Sequence, residues 1–212
     1  MNIKRPIFLV PFFIVLLLLV RIVGDIDRDI RPDDRFQVVG VIDGDTVELP
    51  GGEQLRLLGI DCPERGEPFY DSATALTSAL VMGKTVRVMF SLRRRDAYGR
   101  MLGYLFVDTL LVNEVLVRRG LANVYVFPDE IDDDSPGRRL QTAQAEALSE
   151  KIGIWSIPRT PEPYYLAATG SLRFHRPDCK AVRSRPRSEL IRFETREEAL
   201  TQGYTPCRNC RP

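Results

Sequence analysis

Three carboxylates, Asp45, Asp61 and Glu64, stand at the margins of apolar runs, and two arginines, Arg56 and Arg100, lie within or beside such runs. Asp45 follows the turn pair Asp43-Gly44. Asp61 leaves the run "LRLLGI", and Pro63 holds Cys62 in an extended backbone. Two carboxylates at strand ends, with the Cys62 carbonyl exposed before a proline, are the oxygen donors that a hard cation takes. Glu64 is close enough in sequence to orient a water or accept its proton. Guanidinium groups on two adjacent strands grip one phosphate from two sides. A metal, a positioned water and a cationic clamp are together what phosphoryl transfer requires. Each feature alone also suits an ordinary turn, a polar loop or a solvent-facing side chain; the chemistry rests on the set.

A second set lies near the other end. His175 and Cys179 are spaced H-x3-C, Cys207 and Cys210 are spaced C-x2-C, and twenty-seven residues separate the pairs. Two such half-sites form a tetrahedral zinc template. Disulfides are the other reading, with Cys207 joined to Cys210 or Cys179 joined to either. That reading leaves the sole histidine without a role and gives Cys62 an odd partner. Cys62 itself reads as a free thiol beside the acidic set.

These residues need elements to hold them. "FQVVGVIDGDTVEL" is two β-rich runs hinged at Asp-Gly, a hairpin signal. "EQLRLLGI", "KTVRVMF" and "RMLGYLFVD" read as further strands. "PFYDSATALTSALVMG" has helical spacing and stops at Gly83. "LVNEVLVRRG" is a short helix ended by Gly120. "SPGRRLQTAQAEALSEKIG" is a longer one, with Ser135 as N-cap and Gly153 as C-cap. The order predicts an α+β body, mainly β: a small closed OB-type barrel with helices packed on it. In the tail, "LAATGSLRFH" reads as a hairpin around Gly170, and "TREEALTQG" as a helix with a Thr195/Glu198 capping box. A tail of this size buries little core alone, so a metal clip makes physical sense.

The 212 residues, 44% apolar, suffice for one or two compact domains, and the net charge of +1 announces no polyanion partner. The distribution says more. From Tyr164 onward nine arginines and one lysine face one aspartate and four glutamates, a weak pointer to nucleic acid or an anionic surface. The first residues, "MNIKR", precede the uncharged run Pro6–Val20. That run suits an uncleaved signal-anchor or a signal peptide, and Lys4 and Arg5 keep its start in the cytoplasm, so the bulk is expected to be exported. The charged stretch that follows and the proline-rich "SIPRTPEPYY" are seams. The organisation expected is residues 1–24 as targeting segment or membrane anchor, 25–35 as linker, 36–156 as the barrel body, 157–163 as a second linker and 164–212 as the metal-binding tail.

The motifs "VIDGDTVEL", "RLLGIDCPE", "DAYGRMLGYLFVD" and "VNEVLVRRGLANVY", in this order and ending in "IGIWS", resemble the thermonuclease family. The resemblance implies an OB-barrel and calcium-dependent hydrolysis of phosphodiester bonds in DNA and RNA with little sequence preference. By position it implies Asp45, Asp61 and the Cys62 carbonyl as calcium ligands and Glu64 as the residue that positions or activates water. Arg56 and Arg100 are implied as the phosphate-binding pair, and Tyr98 as a neighbour of the bound nucleotide. Cys62 replaces the family's usual threonine, Ala97 stands where the staphylococcal enzyme has lysine, and the segment after Glu64 is short. The tail, "YLAATGSLRFHRPDC" through "EEALTQGYTPCRNC", resembles the metal-binding module of the Ada DNA-repair family, which implies zinc. His175 occupies the place of that family's methyl-accepting cysteine, which argues against methyl transfer. The alternative function is a catalytically inactive OB-fold module that binds nucleic acid or protein. No organic cofactor is called for and no protein partner is singled out.

Overall fold

A computed structural model describes residues 33–126 and 135–212. The N-terminal apolar run lies outside them; no helix among the described residues is long and apolar enough to cross a membrane. The architecture is mixed α+β, with many strands and few helices.

The larger sheet has seven strands. Its path runs β1 (Asp33–Gln37), β6 (Thr85–Arg95), β7 (Met101–Val107), β4 (Glu53–Leu57), β3 (Thr46–Leu49) and β2 (Gly40–Asp43), with β8 (Leu110–Leu111) paired to β7. Asp33 to Arg35, at the end of the charged stretch, are therefore strand rather than linker, paired to β6. The hairpin at Asp43-Gly44 forms as its turn chemistry dictates, with Asp43 opposite Thr46. Alternation along these strands sends Val47, Leu55, Leu57, Val88 and Leu105 inward, where they meet Ala73 and Val81 of α1 (Tyr70–Val81), Leu116 of α2 (Val112–Arg118) and Leu140 of α3 (Pro136–Glu150).

The run "EQLRLLGI" makes two strands, not one. β4 ends at Leu57, and β5 (Gly59–Asp61) pairs instead with β9 (Asn123–Tyr125) in a separate ribbon. Gly59 causes the break: its φ is +74°, and a Cβ there would lie 2.7 Å from Leu140 Cδ1. Buried Asn113 locks the corner, accepting from the Leu105 amide (3.0 Å) and donating to the Leu58 carbonyl (2.7 Å). The break turns the chain so that Asp61 leaves toward the turn that carries Asp45.

Ser135 caps α3 and accepts from the Arg138 amide (3.3 Å). The helix closes at Lys151, in the left-handed region, before the expected Gly153. Gly153 has another task. It lies against Gly120, the Ile154 amide donates to the Gly120 carbonyl (2.8 Å), and a Cβ on Gly153 would overlap that carbonyl oxygen.

The tail forms a four-stranded sheet in the order β12 (Leu190–Phe193), β10 (Tyr165–Ala168), β11 (Arg173–His175), β13 (Thr205–Pro206), with α4 (Arg196–Thr201) beside it. Thr195 caps α4 by accepting from the Glu198 amide (3.0 Å). Its core is shared: Ala147, Ile154 and Trp155 pack with Tyr165, Phe174, Phe193 and Leu200. The proline-rich seam therefore joins two bodies that touch. Thr205 Oγ1 donates to the Val124 carbonyl of β9.

Candidate active site

Asp45 and Asp61 come together from different elements, each only 5% exposed. Asp45 sits on the β2–β3 turn. Thr77 of α1 donates to the Gly44 carbonyl (2.7 Å), and a Cβ on Gly44 would lie 2.7 Å from Ala73 Cβ and 2.9 Å from Cys62 Sγ, so the turn is pressed flat on α1 and on the chain after β5. Asp45 Oδ2 accepts from the Cys62 amide (2.7 Å), tying the turn to the end of β5. Thr46 Oγ1 donates to Asp45 Oδ1 (3.3 Å).

Arg56 lies between the two carboxylates. It donates to the carbonyls of Leu57 (2.6 Å) and Ile60 (2.8 Å), which fixes its guanidinium 3.2 Å from Asp45 Oδ2 and 3.5 Å from Asp61 Oδ1. Burial pushes the Asp45 carboxyl up to about 6; the Arg56 guanidinium and the Cys62 amide pull it down, and Asp43 and Asp61 add to the push. Cys62 is a free, buried thiol under the Gly44 turn, and burial raises its pKa further from the thiolate range.

Glu64 is exposed. It meets Asp61 through a residue that sequence reasoning did not single out: Arg208 donates to Glu64 Oε1 and to both oxygens of Asp61. Arg173 donates to Asp61 Oδ2 as well (2.9 Å). Both belong to the tail. Its basic composition was visible in the sequence; the docking that aims these two at Asp61 was not.

Arg100 is anchored elsewhere. Its guanidinium is held by Asp96 (2.8 Å), which also accepts from the amides of Tyr98 (2.9 Å) and Arg100 (3.0 Å). Strands β4 and β7 are parallel with Arg56 opposite Leu102, and Arg100 lies immediately before β7. Tyr98 is 85% exposed, and the Arg100 guanidinium lies 5.6 Å from its ring centre.

The second centre is compact. One donor atom from each of His175, Cys179, Cys207 and Cys210 lies within 4.8 Å of the others, and all four cysteines of the chain are free thiols. Cys179 Sγ is 3.3 Å from His175 Nδ1, and the Arg176 amide donates to Cys210 Sγ (3.4 Å). Burial, with Arg173 and Arg185 nearby, lowers the His175 pKa and favours the neutral imidazole that metals bind. Three thiols and an imidazole in one buried cluster fit zinc.

Two family models match the chain in succession: staphylococcal nuclease homologue over residues 54–157, and the metal binding domain of Ada over 158–212. An uncharacterized endonuclease of Escherichia coli O157:H7 is 39% identical over 128 residues, 58% of this chain and 78% of that protein. A protein named ParB from Escherichia coli is 32% identical over 142 residues, 61% of this chain and 77% of that protein. The thermonuclease of Staphylococcus hyicus is 31% identical over 133 residues, 58% and 77% respectively. The chain belongs to the staphylococcal nuclease homologue family, a class of nuclease hydrolases, and carries behind that domain a zinc-binding module of the Ada type.

Proposed function

We propose that the chain is an exported, calcium-dependent nuclease that hydrolyses phosphodiester bonds of DNA and RNA with little sequence preference. The observation that carries this reading is the convergence of two buried carboxylates, Asp45 and Asp61, on the Arg56 guanidinium at 3.2 and 3.5 Å. Buried carboxylates so close repel each other and invite a cation. Asp45 and Asp61, with the Cys62 carbonyl, would hold calcium, which polarises a phosphoryl oxygen. Glu64 accepts a proton from water as the water oxygen bonds to phosphorus, the ester P–O bond breaks, and the departing alkoxide takes a proton from solvent. Arg56 meets the charge that develops on the phosphoryl oxygens. Arg100, which stands just before the neighbouring strand β7, joins it by exchanging Asp96 for phosphate. Tyr98, solvent-facing beside Arg100, offers its ring to a nucleotide. The clamp grips phosphates, which carry no base information, so sequence preference is weak. Zinc in the tail is structural. We read the seven-stranded sheet as the family's OB-type barrel, and the N-terminal apolar run as the export signal, retained as a membrane anchor or cleaved to release the enzyme.

Residues 33–212, which keep β1 whole, purified with zinc and incubated with DNA or RNA, give calcium-dependent cleavage that chelator abolishes and Asp45→Ala removes. Saturable binding with no cleavage under any metal overturns the reading in favour of a silent binding module.

A further inference from the structure

Arg208 stands between two zinc ligands, Cys207 and Cys210. All three of its guanidinium nitrogens are spent on carboxylates of the nuclease body: Nε on Asp61 Oδ2 (3.2 Å), Nη2 on Asp61 Oδ1 and Nη1 on Glu64 Oε1. Arg173, two residues before the zinc ligand His175, adds a bond to Asp61 Oδ2 (2.9 Å). It is itself held by the Pro206 carbonyl (3.0 Å), and its guanidinium lies 4.9 Å from the ring centre of Tyr125. The tail thus delivers two guanidinium groups to one carboxylate.

The delivery is rigid. The Cys207 amide donates to the Phe174 carbonyl (2.9 Å), and β13 pairs with β11. Thr205 Oγ1 donates to the Val124 carbonyl, and Val124 pairs with Ile60, next to Asp61. A short chain of hydrogen bonds therefore links the zinc ligands to the strand that presents Asp61. Burial pulls the Arg208 pKa down, but Asp61 and Glu64 outweigh it and hold the group above the ordinary arginine value.

A guanidinium on both oxygens of Asp61 takes lone pairs that a cation needs, and it sets a positive charge a few ångströms from where that cation would sit. We propose that Arg208 is a further active-site residue, a counter-ion held by the zinc knuckle on Asp61 and Glu64, which competes with the divalent cation and lets the zinc module set the metal affinity of the nuclease centre. This rests on the assignment of Asp61 as a metal ligand under Proposed function. Arg208 acts on the metal through the carboxylates and is a positioning residue rather than a catalytic one.

The test is metal binding by the full, zinc-loaded protein, followed by terbium luminescence with calcium displacement. Arg208→Gln binds terbium and calcium about tenfold more tightly than the wild type, within the usual range of coupling between sites. Arg208→Lys, whose single ammonium cannot span both carboxylates, falls between. Zinc content and melting curves establish that each variant is folded; if Arg208→Gln loses zinc, Arg208→Lys decides the matter by the same shift. Equal or weaker binding in the folded variants overturns the proposal, as does a tightening that persists when Asp61→Asn is combined with Arg208→Gln. Tighter binding with no cleavage by either protein removes the nuclease reading and leaves the competition standing. Cleavage with unchanged metal affinity does the reverse.

Discussion

The two candidate metal centres answer the same problem, clustered donors awaiting a cation, in opposite ways. In the tail, burial pushes the Cys210 thiol up to about 12 and lowers the His175 pKa, so these two donors are held neutral. No counter-ion is needed. At Asp61 the arrangement is different: three arginines close on it, Arg56 from its own body and Arg173 and Arg208 from the tail. Soft donors can be stored as acids, whereas hard donors are stored as salts. A carboxylate centre therefore has an electrostatic partner to displace before a metal enters, and a thiol centre has protons to release.

The contrast can be broken at several points. The largest effect is expected for Asp45→Ala, which removes one of the two buried carboxylates: cleavage falls by on the order of a thousandfold while the melting curve changes little. Retained turnover would show that Asp61 suffices. Cys207→Ser should abolish stoichiometric zinc, read by mass spectrometry or atomic absorption, and melt the tail, because a module this small draws several kcal/mol or more from its metal. In that variant terbium affinity at the nuclease centre should move toward the value for Arg208→Gln; an unchanged affinity would show that the two centres are independent. Gly44→Ala tests how far the carboxylate centre depends on a flat turn. A methyl 2.7 Å from Ala73 Cβ must displace the turn or the helix, and a loss of about 1–3 kcal/mol by denaturant unfolding is expected, with weaker metal binding.

The smallest effect concerns pH. The Asp45 carboxyl, raised from 3.8 to about 6 by burial, keeps its proton longer in the folded, metal-free protein than in the unfolded chain. The folded state then binds the extra proton, so stability falls as pH rises from 3.8 through 6 and is flat above. Melting temperatures of the metal-free wild type relative to Asp45→Asn should decline over that window. A constant difference would mean that Asp45 takes up its proton alike in the folded and unfolded chain, with Arg56 and the Cys62 amide offsetting burial.

The acidic set was legible because its signals are local. Asp43-Gly44 dictates a tight turn, and Pro63 ends the strand that carries Asp61. The zinc tetrad was legible from two short spacings and a single histidine. The split of "LRLLGI" into β4 and β5 was not, since an apolar run with one glycine reads as continuous until the Leu140 side chain fills the space beside Gly59. Arg100 resting on Asp96 is legible in "DAYGR", because an aspartate at a turn commonly accepts from amides that follow it. Arg208 on Asp61 left no trace. Their partnership spans almost the whole described chain, and no periodicity or spacing encodes how one folded body docks on another.

Gly120 and Gly153 touch backbone to backbone at the exit from the first body, with no side chain between them. Such a contact sets the angle at which the chain leaves the first body, and small errors there grow with distance. A methyl group at either glycine would tilt the trailing body as a whole and could lift an arginine from its carboxylate. Two uncharged positions with no chemistry of their own thus govern the alignment of the charged ones.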